Sequence, residues 1–132
     1  MGQPIELILV RHLATSLAIP LFLVDPDGTM VFYNEAAELM LGRRFDDAGE
    51  MPFAEWTSAF AVRDQAGAPL DINELPLVRA LRERRPAHAK FDITGLDGAA
   101  RTIEVSAFPL EAEGKRQLGA VALFWESDTE AR

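Results

Sequence analysis

Asp25, Asp27, Asn34 and Glu35 fall within one short stretch, VDPDGTMVFYNEAAELMLG, which runs from Val24 to Gly42. Closely spaced acids of this kind could hold a cation. A calcium loop of EF-hand type starting at Asp25 would need glycine where Met30 stands and a bidentate acid where Ala36 stands, so that chemistry is excluded. The remaining reactive types are His12, His88, Glu104 and Ser106. No nucleophile, base and orienting group fall together among them by any recognisable spacing, and the chain is read as a non-enzyme. His12 has neither histidine nor carboxylate three or four residues on, so a packed or partly exposed histidine is the plainer reading than a metal or haem ligand. There is no cysteine. Disulfides, thiolate nucleophiles and thiolate metal sites are therefore absent, which is compatible with a cytoplasmic setting.

The plainer role for the opening stretch is turn and cap chemistry. Pro26 presets φ for the first central turn position, and Gly28 is free to take a left-handed conformation, so Asp25–Gly28 reads as a hairpin connection. Asn34 suits a helix N-cap, Glu35 the positive end of that helix, and Gly42 its stop.

The 132 residues suit one domain, and 48% of them are apolar, enough for a packed core. Thirteen basic and 21 acidic side chains leave a formal charge of −8, which disfavours a nucleic-acid partner. Basic residues do gather at Arg43-Arg44 and at Arg79, Arg82, Arg84 and Arg85. The second group fits the negative end of a helix. Residues 5–24 are rich in apolar side chains but are interrupted by Glu6, Arg11, His12 and Pro20, so no membrane span or export signal is expected.

Apolar residues recur at Ile5, Ile8, Leu9, Leu13 and Leu17 with helical spacing, Pro4 suits the first turn, and His12 shares the stripe. Leu7 and Val10 leave that stripe, so the helix is apolar on more than one side and calls for a partner as well as its own core. Strands follow at PLFLVD and TMVFYN, then a short helix from Glu35 to Leu41. Residues 43–73 read as irregular, with one short helix in PFAEWTSAF. A longer helix is expected over NELPLVRALRERR, with Asn73 as cap and an apolar face of Leu77, Val78 and Leu81. AHAKFDIT and RTIEVSAF alternate as strands, and LGAVALFWE is apolar on both faces, so it is a central strand or one whose outer face is covered by the N-terminal helix or a second copy. The fold class is α+β, with strands of one antiparallel sheet surrounding a helical middle. The expected division is an N-terminal helix over 1–18, the domain proper over 19–126 and a polar tail over 127–132.

This order of elements resembles the PAS domain family over nearly the whole chain. The resemblance is carried by the strand ending in Asp25, the DG turn, the strand ending in Asn34 and EAAELMLG. Later, DQAGAPLDINELPLVRAL, GLDGAARTIEVSAFPL and LGAVALFWE continue it. It implies a five-stranded antiparallel sheet with short helices on one face, a sensory or interaction role in signal transduction, and frequent dimerisation. A stand-alone cytoplasmic domain, a homodimer serving an unidentified signalling protein, is the expectation.

Matching the strands to the family pattern places Phe22, Val24, Met30, Phe32, Phe91, Ile93, Ile103, Val105, Val121 and Leu123 on the inner face. Leu77 and Leu81 would close a cavity from the long helix. These side chains either line a ligand site or merely fill the core. A fatty acid or similar apolar molecule would suit such a lining, and Arg79 and Arg82 are candidates for its carboxylate. No covalent cofactor is expected. Light-sensing flavin domains of the LOV type and photoactive yellow protein both use a cysteine. Haem is disfavoured because Asn73–Arg85 holds no histidine, and His88 follows that helix. A redox flavin beside Trp56 or Trp125 is a further option, although either is more often core. The dimer interface is expected on Ile5, Ile8, Leu9, His12 and Leu13, and on an outer sheet face of Leu118, Ala120, Ala122 and Phe124. A small cone-shaped isomerase fold would need an acid inside the cavity, and the inward positions lack one.

Overall fold

The structure is a computed structural model and describes residues 5–16, 18–60, 62–64 and 66–127. Pro4, Leu17 and residues 128–132 of the expected tail lie outside the described residues, as does the side chain of Leu7.

Helix α1 (Ile5–Ala14) leads into strands β1 (Leu21–Val24) and β2 (Met30–Tyr33). Three short helices follow, α2 (Glu35–Leu41), α3 (Phe45–Ala48) and α4 (Phe53–Ala59). A single 3-10 turn at Ile72–Glu74 precedes α5 (Pro76–Glu83), and then come β3 (Ala87–Thr94), β4 (Ala100–Ala112) and β5 (Arg116–Glu126). The five strands form one antiparallel sheet in the order β2-β1-β5-β4-β3. The α+β expectation and the central position of β5 both hold. No helix among the described residues is long and apolar enough to cross a membrane.

The opening stretch is turn chemistry. Asp25 Oδ1 accepts from the N–H groups of Asp27 (2.9 Å) and Thr29 (3.0 Å), and Gly28 N–H donates to the Asp25 carbonyl. This Asx-type turn closes the β1–β2 hairpin. Asn34 caps α2, accepting from Ala37 N–H, and the same oxygen accepts from Leu21 N–H, both at 3.0 Å. Its amide nitrogen donates to the Ile19 carbonyl at 2.9 Å. One buried side chain thus ties the start of β1 to the start of α2.

Pro76 shortens the long helix. The residue before a proline is pushed towards extended backbone, and Leu75 has ψ 133°. Helix α5 therefore begins at Pro76, while Asn73 sits in the preceding 3-10 turn, where Asp71 accepts its N–H at 2.9 Å. The basic group at the end of α5 is largely paired: Arg79 and Arg85 with Glu83, Arg84 with Glu111, and Arg82 with the Asn73 side chain. Helix α3 lies in the segment read as irregular. Ser127, expected at the start of the tail, is buried, and its N–H donates to the Thr102 carbonyl at 2.8 Å.

Two irregularities decide which side chains face the helices. Val24 pairs with Met30 but Leu23 pairs with Phe32, so Val31 is an extra residue in β2. A bulge shifts the alternation by one. Met30 and Tyr33 therefore pack in the inner core, and Phe32 turns to the outer face with Leu23 and Val31. In β5, Phe124 stands opposite Val105 and Ala122 opposite Ala107. Facing pairs share a side, so Ala120, Ala122 and Phe124 join the inner core, while Val121 and Leu123 pack outside. The inner placement expected for Phe32, Val121 and Leu123 is corrected, as is the outer placement of Ala120, Ala122 and Phe124. Leu118 does lie on the outer side, where β5 is irregular opposite Leu110 and Glu111.

Tyr33 is fully buried, and its hydroxyl donates to the Arg43 carbonyl at 2.8 Å. Burial, reinforced by the Glu38 carboxylate, pushes its pKa up from 10.0 to about 12. The folded state therefore favours the neutral phenol. That contribution is complete below pH 10, is lost between pH 10 and 12, and amounts to roughly 2–3 kcal/mol. At pH 8, Tyr33→Phe should cost about 1 kcal/mol for the lost hydrogen bond. Above pH 11 the order should reverse, with the Phe variant the more stable. Urea titrations of both proteins at pH 8 and pH 11.5 check the crossing.

Candidate functional site

Between the inner sheet face and helices α4 and α5 lies a cavity of about 60 Å³. Its lining combines Phe22 from β1 and Leu41 from α2 with Trp56 and Phe60 near α4. Leu75, Pro76 and Leu77 close it from the α5 side. Phe91, Ile93, Ile103, Val105, Ala122 and Phe124 supply the sheet wall. The aromatic side is locked by edge contacts, with Phe22 and Trp56 ring centroids 5.1 Å apart at 64°. Trp56 Nε1–H donates to the Gly28 carbonyl at 2.9 Å, so the indole has its polar end satisfied by the β1–β2 turn. Among the described residues no charged or histidine side chain takes part in the lining.

Six of the twelve expected ligand residues line this cavity: Phe22, Leu77, Phe91, Ile93, Ile103 and Val105. Val24 and Met30 are wholly buried in the same core without reaching the cavity, and Leu81, partly buried against that core, is not in the lining either. Phe32, Val121 and Leu123 are on the other side of the sheet. Arg79 and Arg82, considered for a carboxylate, take no part in the lining. Trp56 and Phe60 belong to the segment whose helix was legible, but its angle to the sheet was not.

The size decides what this space can do. An engineered apolar core cavity of roughly 150 Å³ admits benzene, and drug-sized ligands use about 300–1,000 Å³. A volume of 60 Å³ is below both.

The outer face is also covered. Leu21, Leu23, Val31, Leu118 and Val121 are buried there, with Val10 of α1 packed against them. The opposite side of α1 is open: Ile5, Leu9 and Leu13 are each more than 60% exposed, Ile8 is 41% exposed, and His12 is exposed beside them. His88 is also remote from the cavity. It lies 3.3 Å from Glu104 Oε1 and tilts over Trp125 on the outer face of the sheet. Among the described residues no cluster of three or more His, Asp or Glu gathers to hold a metal ion.

The family model described as PAS fold matches residues 14–131. The chain belongs to the PAS family. Solved PAS domains share its fold. One from Colwellia psychrerythraea superposes with a TM-score of 0.67 at 16% identity, covering 92% of this chain and 97% of that one. The PAS domain of nitrogen regulation protein NR(II) from Vibrio parahaemolyticus gives 0.65 at 16% identity, with coverage of 90% and 98%. The RsLOV d2 variant gives 0.73 at 17% identity and covers all of this chain and 72% of its own. No curated protein matches the chain significantly. PAS domains are sensory and interaction modules rather than catalysts. In this PAS domain the central cavity is small and hydrocarbon-lined, and α1 carries a stripe of exposed apolar side chains.

Proposed function

We propose that this PAS domain is a cytoplasmic signalling module that works through protein contacts, first with a second copy of itself and then with a signalling partner. The filled core carries this reading: 60 Å³ is too little for a haem, a flavin or a fatty acid. The absence of cysteine adds that no thiol adduct forms. The packed side chains around the inner cavity accordingly serve stability, and the module neither catalyses nor binds nucleic acid.

The α1 stripe supports the homodimer. Ile5, Ile8, Leu9 and Leu13 recur at spacings of three and four, the arrangement of a helix–helix seam. Each contributes about 1.5–3 kcal/mol when fully buried, and a two-fold contact uses the stripe twice. Val10 meanwhile holds the other side of α1 to the sheet, so a change in the dimer would reach β1 and β5.

Light scattering on purified protein tests this. Wild type should be a dimer at micromolar concentration. Ile8→Glu/Leu13→Glu should be a monomer with an unchanged circular dichroism spectrum, since both positions are exposed. A wild-type monomer overturns the dimer, and a dimeric double variant removes α1 from its interface.

A further inference from the structure

A second apolar surface lies on the far side of the cavity wall. Helix α4 and the segment leading into α5 form a groove of about 530 Å³ on the protein surface. Phe53 lines it from α4, Leu70 and Ile72 line it from the opposite side, and Val62 and Leu75 complete it. Ile72 is 41% exposed, so hydrocarbon here meets water. Val62 and Leu75 also line the 60 Å³ inner cavity. The same two side chains thus stand between the surface groove and the inner cavity.

Among the described residues the groove has one charged side chain in its lining, Arg63. Its guanidinium donates at 3.4 Å to the Gly67 carbonyl and makes no ion pair among the described residues. The nearby acids are otherwise engaged. Asp64 accepts from the N–H groups of Ala66 and Ala68, and Asp92 accepts from the Thr102 hydroxyl. Arg63 is fixed at this place by its backbone, which exchanges hydrogen bonds with Asp92 at the edge of β3 (2.9 and 2.8 Å). Arg63 is exposed, and its guanidinium is the local charge that suits an anionic head group. Planar carboxylate is the form that guanidinium binds with two parallel hydrogen bonds.

We infer that this groove is a binding site for a linear amphiphile, a medium-chain carboxylate whose head pairs with Arg63 and whose chain lies along Phe53, Leu70 and Ile72. The site supplies an input for the module proposed above. Occupancy presses on Val62 and Leu75, which also line the inner cavity. Leu75 is the N-cap residue of α5, and α5 packs on β3, β4 and β5. The path from groove to sheet is therefore one layer of side chains deep.

Titration with sodium decanoate, below its aggregation threshold and followed by amide NMR shifts, tests the site. Saturable shifts should appear at α4, at residues 69–75 and at Arg63. Arg63→Gln should weaken decanoate about tenfold or more, the loss expected of one charge-assisted contact. Decanol, with the chain but no charge, should bind more weakly and be indifferent to that change. Ala54→Trp, which fills the groove from an exposed position on α4, should abolish binding with no loss of thermal stability. The monomeric α1 variant should bind decanoate as wild type does, so failure of the dimer and failure of the groove are separable. Absence of saturation overturns the inference. So does equal affinity in wild type, Arg63→Gln and Ala54→Trp, or a response centred on Phe22 and Ile103 in the core.

Discussion

Gly119→Ala should cost more than ~4 kcal/mol and bring the domain close to its unfolding threshold. Gly119 has φ +136°, a region that side-chain-bearing residues rarely adopt. A Cβ there would lie 2.1 Å from the Val24 carbonyl oxygen and 3.1 Å from Asp25 Cα. Both are backbone atoms of the neighbouring strand end, so no rotamer change relieves the clash. Either β5 separates from β1 or the β1–β2 hairpin shifts. Both movements disturb the pairing of Val24 with Ala120 in the middle of the sheet. Urea denaturation should show a large fall in midpoint, and Gly114→Ala provides the comparison. Gly114 also has positive φ, but no atom lies within 4 Å of its added Cβ. Its loss should therefore be near 1 kcal/mol, from backbone strain alone. Equal losses at the two positions would show that the close approach is unimportant.

Asn34→Ala is expected to cost about 3–5 kcal/mol. The side chain is 1% exposed, and its removal strands the N–H groups of Leu21 and Ala37 and the carbonyl of Ile19. Each buried polar group left without a partner costs about 1–3 kcal/mol. The damage spans two elements, because one oxygen both caps α2 and holds the first residue of β1. Asn34→Ser should recover about 1 kcal/mol by restoring the cap while failing to reach Ile19 and Leu21. Hydrogen exchange gives the readout: protection should fall at Leu21 and Ala37 together in the Ala variant. Loss at Ala37 alone would mean that Asn34 is a helix cap and nothing more.

Much of the fold could be read from local chemistry. Asp25, Gly28 and Gly42 act within a few residues of themselves, as does Asn34 in capping α2, and each does what its side chain and φ preference imply; the reach of Asn34 to Leu21 and Ile19 is tertiary. The edges of β3 and β4 were equally legible, since Phe91, Ile93, Ile103 and Val105 alternate with polar residues. The facing of β2 and β5 was not. Val31 is a bulge that nothing in MVFY announces, and LGAVALFW is apolar on both sides, so alternation carries no sign. Pro76 was visible as a helix-compatible proline. Its effect on Leu75, which pushes Asn73 out of the helix, follows from the same residue read in the other direction.

The candidate site divides in the same way. Sequence alone determined an α+β domain of PAS type without thiol chemistry, with an N-terminal helix apolar on more than one side. Those properties depend on residue types and short spacings. Tertiary structure decided that the central space holds only 60 Å³, and that Arg63 stands beside an apolar groove sharing a wall with it. The physical reason is that cavity volume is a small difference between the space enclosed by the sheet and helices and the side chains filling it. Trp56 and Phe60 take their places in that lining from how α4 packs on the sheet, and no periodicity in the chain encodes that packing.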